Sequence, residues 1–438
     1  MAVKVGMVSL GCSKNRVDSE VLLGILRDNG YKIVADPAEA DIVFVNTCGF
    51  IEPAKEESID AIFEMAEYKK AGTLKKLFVT GCLSQRYSEA LADEIPEVDG
   101  FMGVSDYART IEMLKKAEMG EKPVFTCDGE RFLDSQRVLT TPPYTAYIKI
   151  SDGCDNKCTY CAIPLIRGSY RSRPYEDIMK ECRHLVEDGV KELVFIAQDT
   201  SRYGNDFDEK TLLLPKLLKE ASEIEGVEWV RVLYCYPDTV TDELLETIRD
   251  NPKICPYLDL PLQHIDDSML KRMNRRGSSE HIKNILRKVR SYGIFVRSTM
   301  IVGFPGETNE QFETLLDFIK EFRFDRLGAF TYSPEEGTPA AEFEDQIDED
   351  IKQMRLDQLM LLQQEISFES NKERIGKTAR VLIEDFEDGY YIGRSPLEAP
   401  EIDGVIKIET DLELAAGEFV TVRITDCDAY DLMGVIEE

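Results

Sequence analysis

Basic residues, histidine and long apolar runs are all scarce in this chain. Its 438 residues hold 53 Lys and Arg against 83 Asp and Glu, a formal net charge of −30 at pH 7. That balance argues against broad binding to a phosphate backbone, which needs clustered cations. It suits a basic partner, since opposite charge steers encounter, although solubility alone accounts for acidity equally well. No apolar run approaches the ~18 residues a membrane span requires, so no membrane partner is expected. The amino terminus, MAVKVGMVSLGCSKN, has one early lysine and a strand-like run, without the long apolar stretch of a signal peptide. A cytoplasmic location is therefore expected. In that compartment eleven cysteines speak for metal or redox chemistry, because thiols there are kept reduced.

The chain reads as four stretches. Residues 1–122 alternate strand runs (Lys4–Leu10, Asp41–Thr47, Lys75–Gly81) with helical patterns from about Val17 to Asn29, from about Pro53 to Tyr68, and from about Gln85. This rhythm predicts a doubly wound parallel sheet. Residues 123–143, polar and containing Pro142-Pro143, read as a linker. Residues 144–374 carry six further strand runs: Thr145–Ser151, Glu192–Gln198, Trp229–Tyr236, Tyr257–His264, Phe295–Phe304 and Leu327–Tyr332. Amphipathic segments between them predict a (βα)6 partial TIM-type barrel, its site at the strands' carboxyl ends. A long helical pattern from about Asp348 to Arg374 closes it. Residues 375–438 turn to short strands without helices, which predicts a small, OB-like β-barrel.

Cys154, Cys158 and Cys161 sit in SDGCDNKCTYCAIP, just after the first strand of the expected barrel. A cubane iron–sulfur cluster normally takes four cysteines. Three would leave one iron open to a substrate or cofactor. Tetrahedral zinc would need a fourth ligand, and catalytic zinc with three protein ligands usually includes histidine. No histidine lies within twenty residues of these cysteines. Three unrelated buried cysteines would not be expected to crowd one loop.

A Cys-x-x-x-Cys-x-x-Cys loop after the first strand of a six-unit barrel resembles the radical S-adenosylmethionine enzymes. The resemblance implies that the open iron chelates S-adenosylmethionine, whose sulfonium is split by an electron from the cluster to give a deoxyadenosyl radical. Tyr160 matches the aromatic that this family carries before its last cysteine.

Cys12, Cys48 and Cys82 each follow a strand of the first region, in SLGC, VNTCGF and VTGC. Strand carboxyl ends share one edge of an open parallel sheet, where ligands bind, so the three are expected to converge. Gly11, Gly49 and Gly81 beside them permit tight turns and close backbone approach. Chance placement of a small hydrophobe would explain one such cysteine, but hardly three in consecutive units.

Two three-cysteine sets on this domain order resemble the radical S-adenosylmethionine methylthiotransferases over the whole chain, and the last stretch resembles their TRAM domain. The segments Leu10–Glu20, Asn46–Asp60 and Ile150–Arg173 are most similar to the RimO-type branch. That branch adds a methylthio group to the β-carbon of an aspartate in protein twelve of the small ribosomal subunit. Ser13 departs from the proline expected in many relatives. The resemblance implies two [4Fe-4S] clusters, one generating the radical and one associated with the inserted sulfur. S-adenosylmethionine would be used both as radical source and as methyl donor. A low-potential reductant such as flavodoxin or ferredoxin would supply electrons. Charge bears on the branch separately: residues 375–438 hold five basic and sixteen acidic residues, net −11. A tRNA-gripping module should be basic, so tRNA adenosine methylthiolation is the alternative and tRNA an unexpected partner. A non-catalytic two-cluster electron carrier is the other alternative, and it would need saturated clusters and no cofactor cavity.

Residues of lesser weight lie on the same expected face. Gln198, Gln263, Arg297 and Gly303, with Gly306 in IVGFPGET, are expected near the cofactor. Arg171 and Arg173 could fork onto its carboxylate or the substrate's. His264 is expected to be a hydrogen-bonded barrel histidine, and His184 and His281 carry no signal. Cys127, Cys182, Cys235, Cys255 and Cys427 read as packing residues.

Overall fold

The computed structural model describes residues 2–127, 129, 131–133 and 136–437. Four positions of the expected linker (Asp128, Glu130, Asp134 and Ser135) and the terminal Met1 and Glu438 lie outside the described residues. The chain divides into two compact units. One comprises Met1–Thr141, Tyr147–Asp177 and Ser333–Ala341, the other Pro142–Ala146, Ile178–Tyr332 and Glu342–Glu438.

The first unit begins with β1 (Lys4–Ser9), α1 (Ser13–Asp28), β2 (Lys32–Ile33), β3 (Ile42–Thr47), α2 (Glu52–Lys70) and β4 (Lys76–Gly81). It continues with α3 (Cys82–Glu94), β5 (Gly100–Met102), α4 (Thr110–Glu118) and β6 (Val124–Phe125). Its strands form one sheet in the order β2-β1-β3-β4-β5-β6, every neighbouring pair parallel. Every residue of β3 is buried, the continuous pattern of a strand covered on both faces. On one face Val43, Val45 and Leu77 meet Ile62, Ala66 and Leu91 of α2 and α3. On the other, Phe44 and Phe78 meet Leu22 and Leu26 of α1 and Met113 and Leu114 of α4. The doubly wound reading is thus correct. Two helices begin earlier than the periodicity predicts: α1 at Ser13, and α3 at Cys82 itself.

Later in the chain come β7 (Thr145–Lys149), β8 (Ser151–Asp152), α5 (Ile163–Arg167) and β9 (Arg171–Ser172). Antiparallel pairing of β8 with β9 sets Ser151 opposite Ser172. It pinches residues 153–170, with their three cysteines, into a closed loop.

The second unit holds most of α6 (Tyr175–Glu187), then β10 (Glu192–Ile196), α7 (Leu214–Ser222), β11 (Trp229–Val232), α8 (Asp242–Asp250) and β12 (Tyr257–Asp259). There follow α9 (Asp267–Arg272), α10 (Ser279–Ser291), β13 (Phe295–Val302), α11 (Asn309–Phe322), β14 (Arg326–Thr331) and α12 (Glu349–Lys372). β10 and β11 are parallel, as are β12, β13 and β14 in turn. Backbone bonds from Cys255 to Val230 and from Cys235 to Asp259 carry the layer from β11 to β12. The expected strand Tyr257–His264 stops at Asp259, short of Pro261, which has no N–H for the ladder, and the chain turns at Gln263 with φ 75°.

Strands β15 (Thr378–Glu387), β16 (Tyr390–Arg394), β17 (Ile406–Glu409), β18 (Phe419–Cys427) and β19 (Leu432–Ile436) close into a barrel, ordered β15-β16-β17-β19-β18. Alternate residues fill it: Val381 and Ile383, Ile406 and Ile408, Val422 and Ile424, with Leu432. Buried ion pairs tie this barrel to the parallel strands. Glu192 of β10 meets Arg231 at 3.1 Å and Arg394 at 2.7 Å, and Glu398 meets Arg326 at 3.2 Å and also Arg374. Among the described residues no helix is long and apolar enough to cross a membrane.

Candidate functional site

Parallel register aligns Ser9, Asn46 and Thr80 in one row across β1, β3 and β4. Just beyond that row the chain leaves the sheet edge three times, each time through a glycine and a cysteine. A side chain at Gly11 (φ 84°) would bring its Cβ to 2.9 Å from Cys48 Cβ and 3.1 Å from its Sγ. One at Gly81 (φ 96°) would stand 2.3 Å from Asn46 Oδ1. Both positions need glycine for φ and for space. Asn15 Nδ2 donates to Leu10 O at 2.7 Å and Thr47 O at 3.2 Å, and Asn46 Nδ2 donates to Asn15 O at 2.8 Å. These amides pin the first two cysteine turns to the start of α1.

Burial grades across the three thiols: Cys12 is exposed, Cys48 half-buried and Cys82 buried. Desolvation pushes Cys82 up to about 12, opposed by Arg167 and reinforced by Cys12 and Cys48. Cys48 is also raised, by burial first and by Cys12, against the N–H of Phe50. At Cys12 crowding by protein atoms raises the pKa, yet Lys14, Arg167 and the first N–H groups of α1 outweigh it and hold the thiol below its ordinary value. Charge on Cys12 thus bears on Cys48, and charge on both bears on Cys82. Beside Cys82 stand Val104, Ala162 and Ile166, a dry wall.

In the other set, Cys158 is buried while Cys154 and Cys161 are half-buried. Cys154 N donates to Gly168 O and Cys161 N to Cys158 O, both at 3.1 Å. Gly153 (φ 78°) passes so close to Ser169 O that a Cβ would lie 2.2 Å from it. Tyr160 is half-buried within this loop, and Ala340 N donates to Thr159 O at 2.9 Å.

Arg167, the last residue of α5, is what the sequence reading missed. It is buried, with Nη2 at 3.5 Å from Cys82 Sγ, 2.8 Å from Asp18 Oδ2 and 3.5 Å from Asn15 Oδ1. Its Nη1 lies 3.1 Å from each oxygen of Asp152. Lys149 pairs with Asp18 and lies 3.5 Å from Asp152. One signal could have pointed here: Asn15, Asp18 and Ser19 occupy a buried face of α1 continued by Leu22 and Leu23. Polar residues at apolar helix positions need partners.

The remaining expected residues lie in the second unit, apart from Cys127 and the two arginines of β9 and its neighbour. Gln198 follows β10, and Gln263 bridges β13 by accepting from Ile301 N and donating to Thr299 O, both at 2.8 Å. Arg297 is ion-paired to Asp259 at 3.1 Å and Asp403 at 3.7 Å. Gly303 (φ 68°) is close-packed under Lys352, whose Cγ would lie 2.3 Å from a Cβ there. His264, fully buried, bonds Glu307 at 3.0 Å, the hydrogen-bonded role expected of it. Arg171 is exposed, and Arg173 reaches Asp177 O at 3.5 Å. Cys182, Cys235 and Cys255 are buried as packing residues should be, but Cys127 is exposed.

Three thiols with no histidine or carboxylate among them form a soft donor set of the kind that selects iron–sulfur clusters. Among the described residues, no three His, Cys, Asp or Glu side chains close around a single metal ion. A cubane asks for no such closure, since each cysteine holds a different iron. In donor type, both sets suit such a group.

The radical SAM superfamily matches residues 148–319, a group described as uncharacterized protein family UPF0004 matches 4–103, and the TRAM domain matches 375–436. The chain is similar to the ribosomal protein uS12 methylthiotransferase RimO of Thermoanaerobacter sp. (strain X514), 51% identical over 98% of this chain and 99% of that protein. The chain belongs to the RimO methylthiotransferase family. A second member, from Clostridioides difficile (strain 630), is 50% identical over 99% of this chain and 98% of its own. Among solved structures, the radical S-adenosylmethionine methyltransferase TsrM from Kitasatospora setae shares the fold. Its TM-score is 0.56 at 16% identity, over 77% of this chain and 75% of that one.

Proposed function

We propose that this RimO-family chain is a radical S-adenosylmethionine enzyme that methylthiolates the β-carbon of an aspartate in ribosomal protein uS12. What supports the reading is a pair of three-cysteine sets in one chain that is about half identical, end to end, to uS12 methylthiotransferases. Cys154, Cys158 and Cys161 would hold one [4Fe-4S] cluster and Cys12, Cys48 and Cys82 a second, three thiolates each, leaving one iron of each open. When bound, these clusters and S-adenosylmethionine supply hydrogen abstraction, sulfur and a methyl group; the protein supplies position and dryness.

The chain's own contribution is local. Gly11 and Gly81 nest the strand-end loops. Val104, Ala162 and Ile166 keep water from Cys82. Tyr160, Gln198, Gln263, Arg297 and Gly303 are assigned to the cofactor, with Arg297 steadied by Asp259 and Asp403. The domains would divide the work as 1–122 for sulfur, 144–374 for the radical and 375–438 for recognition. With a net charge of −11, the last would attract a lysine- and arginine-rich ribosomal protein and repel tRNA. A flavodoxin or ferredoxin would deliver electrons.

The decisive experiment is mass spectrometry of uS12 and of bulk tRNA from cells lacking this gene. The methylthio group should vanish from the uS12 aspartate. Its loss from tRNA, with uS12 unchanged, would overturn the substrate assignment.

A further inference from the structure

Arg167 touches a sulfur of the strand-end set, its Nη2 lying 3.5 Å from Cys82 Sγ, and its setting is built around that contact. Nη1 is spent on both oxygens of Asp152, while Nη2 lies between Asp18, Asn15 Oδ1 and Cys82 Sγ. Two cations (Arg167, Lys149) and two carboxylates (Asp18, Asp152) make a neutral quartet. The quartet adds no net charge near the sulfur, but within it the guanidinium is the member that reaches Cys82, at 3.5 Å.

The Cys82 sulfur has a second polar neighbour. As a thiol it lies 4.0 Å from Asn15 Oδ1, an acceptor whose direction is fixed by the bonds of Asn15 Nδ2 to Leu10 O and Thr47 O. A thiolate at Cys82 would accept instead of donate, and a donor already stands beside it in Arg167 Nη2. The same Nη2 faces the sulfur and would take a charge-assisted bond to it. Hydrogen bonds to cluster sulfurs raise reduction potential by favouring the more negative, reduced form.

We propose that Arg167 is a positioning residue for the second cluster: carried on the helix that follows the radical loop, it donates to the Cys82 thiolate and raises that cluster's reduction potential. This rests on the assignment of Cys12, Cys48 and Cys82 as cluster ligands.

The test uses the full-length chain with Cys154→Ala, Cys158→Ala and Cys161→Ala, so that only the strand-end cluster is reconstituted. Iron content is measured first. A protein without iron would sink the ligand assignment itself, and this proposal with it. With one cluster present, the midpoint potential is then compared with Arg167→Met and Arg167→Lys added. The expected result is retained iron and a more negative potential in the Met variant. The shift should reach about tenfold in the reduced-to-oxidised ratio at fixed ambient potential, about 59 mV for one electron. The Lys variant should fall between. An unchanged potential with iron retained would show Arg167 to be only a packing and ion-pair residue. Loss of iron from both variants would make it an assembly residue and would equally overturn the tuning role.

Discussion

Gly11 lies directly against Cys48, with no room for even a methyl group between them: a Cβ at position 11 would sit 2.9 Å from Cys48 Cβ. Replacing Gly11 by Ala therefore imposes two penalties at once. The left-handed φ costs about 1–2 kcal/mol for a residue with a Cβ, and Cys48 must move. The expected outcome is that Gly11→Ala loses iron to the same extent as Cys48→Ala after anaerobic reconstitution. Reductive cleavage of S-adenosylmethionine should persist in both. Full iron content in Gly11→Ala would mean that the strand-end loops tolerate displacement.

Cys158 tests the other set. It is the buried member of its loop, and its carbonyl accepts from Cys161 N. Cys158→Ala should abolish cleavage of S-adenosylmethionine to 5′-deoxyadenosine and methionine while leaving about one cluster's worth of iron, since each cubane holds four. Retained cleavage, followed by chromatography of the nucleoside product, would remove this loop from the mechanism.

The cysteine sets were legible because each has a local signature: tight spacing in one, the end of a strand run in the other. Arg167 was not, because its partner Asp18 is 149 residues away and nothing in IPLIRG marks a buried arginine. The paired state of Arg297 was hidden for the same reason, since Asp403 belongs to the C-terminal barrel. Strand β12 was read too long because an apolar run was followed through Pro261, which has no N–H for the ladder. Doubly wound sheet and closed barrel were both readable, since burial on two faces or one produces distinct periodicities.

Glu192 sets an acid limit on stability. Burial alone would raise its pKa, but Arg394 and Arg231 outweigh that and bring it to about 2. An unfolded glutamate titrates near ~4.3. The folded value is the lower one, so the stabilisation is fully present above the unfolded value and is lost as pH falls from about 4 toward 2. The gap between the folded and unfolded values corresponds to roughly 3 kcal/mol. Glu398, also brought to about 2 against its burial by Arg374 and Arg326, should act in the same window. Glu192→Gln leaves two buried guanidinium groups undercompensated and should cost about 3–5 kcal/mol at pH 7. Its denaturant midpoint should fall less steeply than the parent's between pH 4 and pH 3. A parallel decline in both proteins would remove Glu192 from the acid limb.

The hairpin joining β15 to β16 presents Asp385, Glu387 and Asp388 at the surface. Among them Phe386 is 58% exposed, its ring 4.9 Å from that of Tyr391. An exposed aromatic ringed by carboxylates suits a basic protein that offers one apolar contact, because charge speeds encounter while the ring contributes buried area. None of these three carboxylates belongs to the buried ion pairs that hold the barrel, so neutralising them should leave the fold intact. The triple variant Asp385→Asn, Glu387→Gln, Asp388→Asn is expected to raise KM for the ribosomal protein by roughly tenfold at low salt, with kcat unchanged. Added salt should then narrow the gap between variant and parent, since screening weakens the attraction the parent still has. Cleavage of S-adenosylmethionine without substrate should be equal in the two. If KM at low salt were the same in both, recognition would have to lie elsewhere on the chain, and the acidity of this module would be a matter of solubility alone.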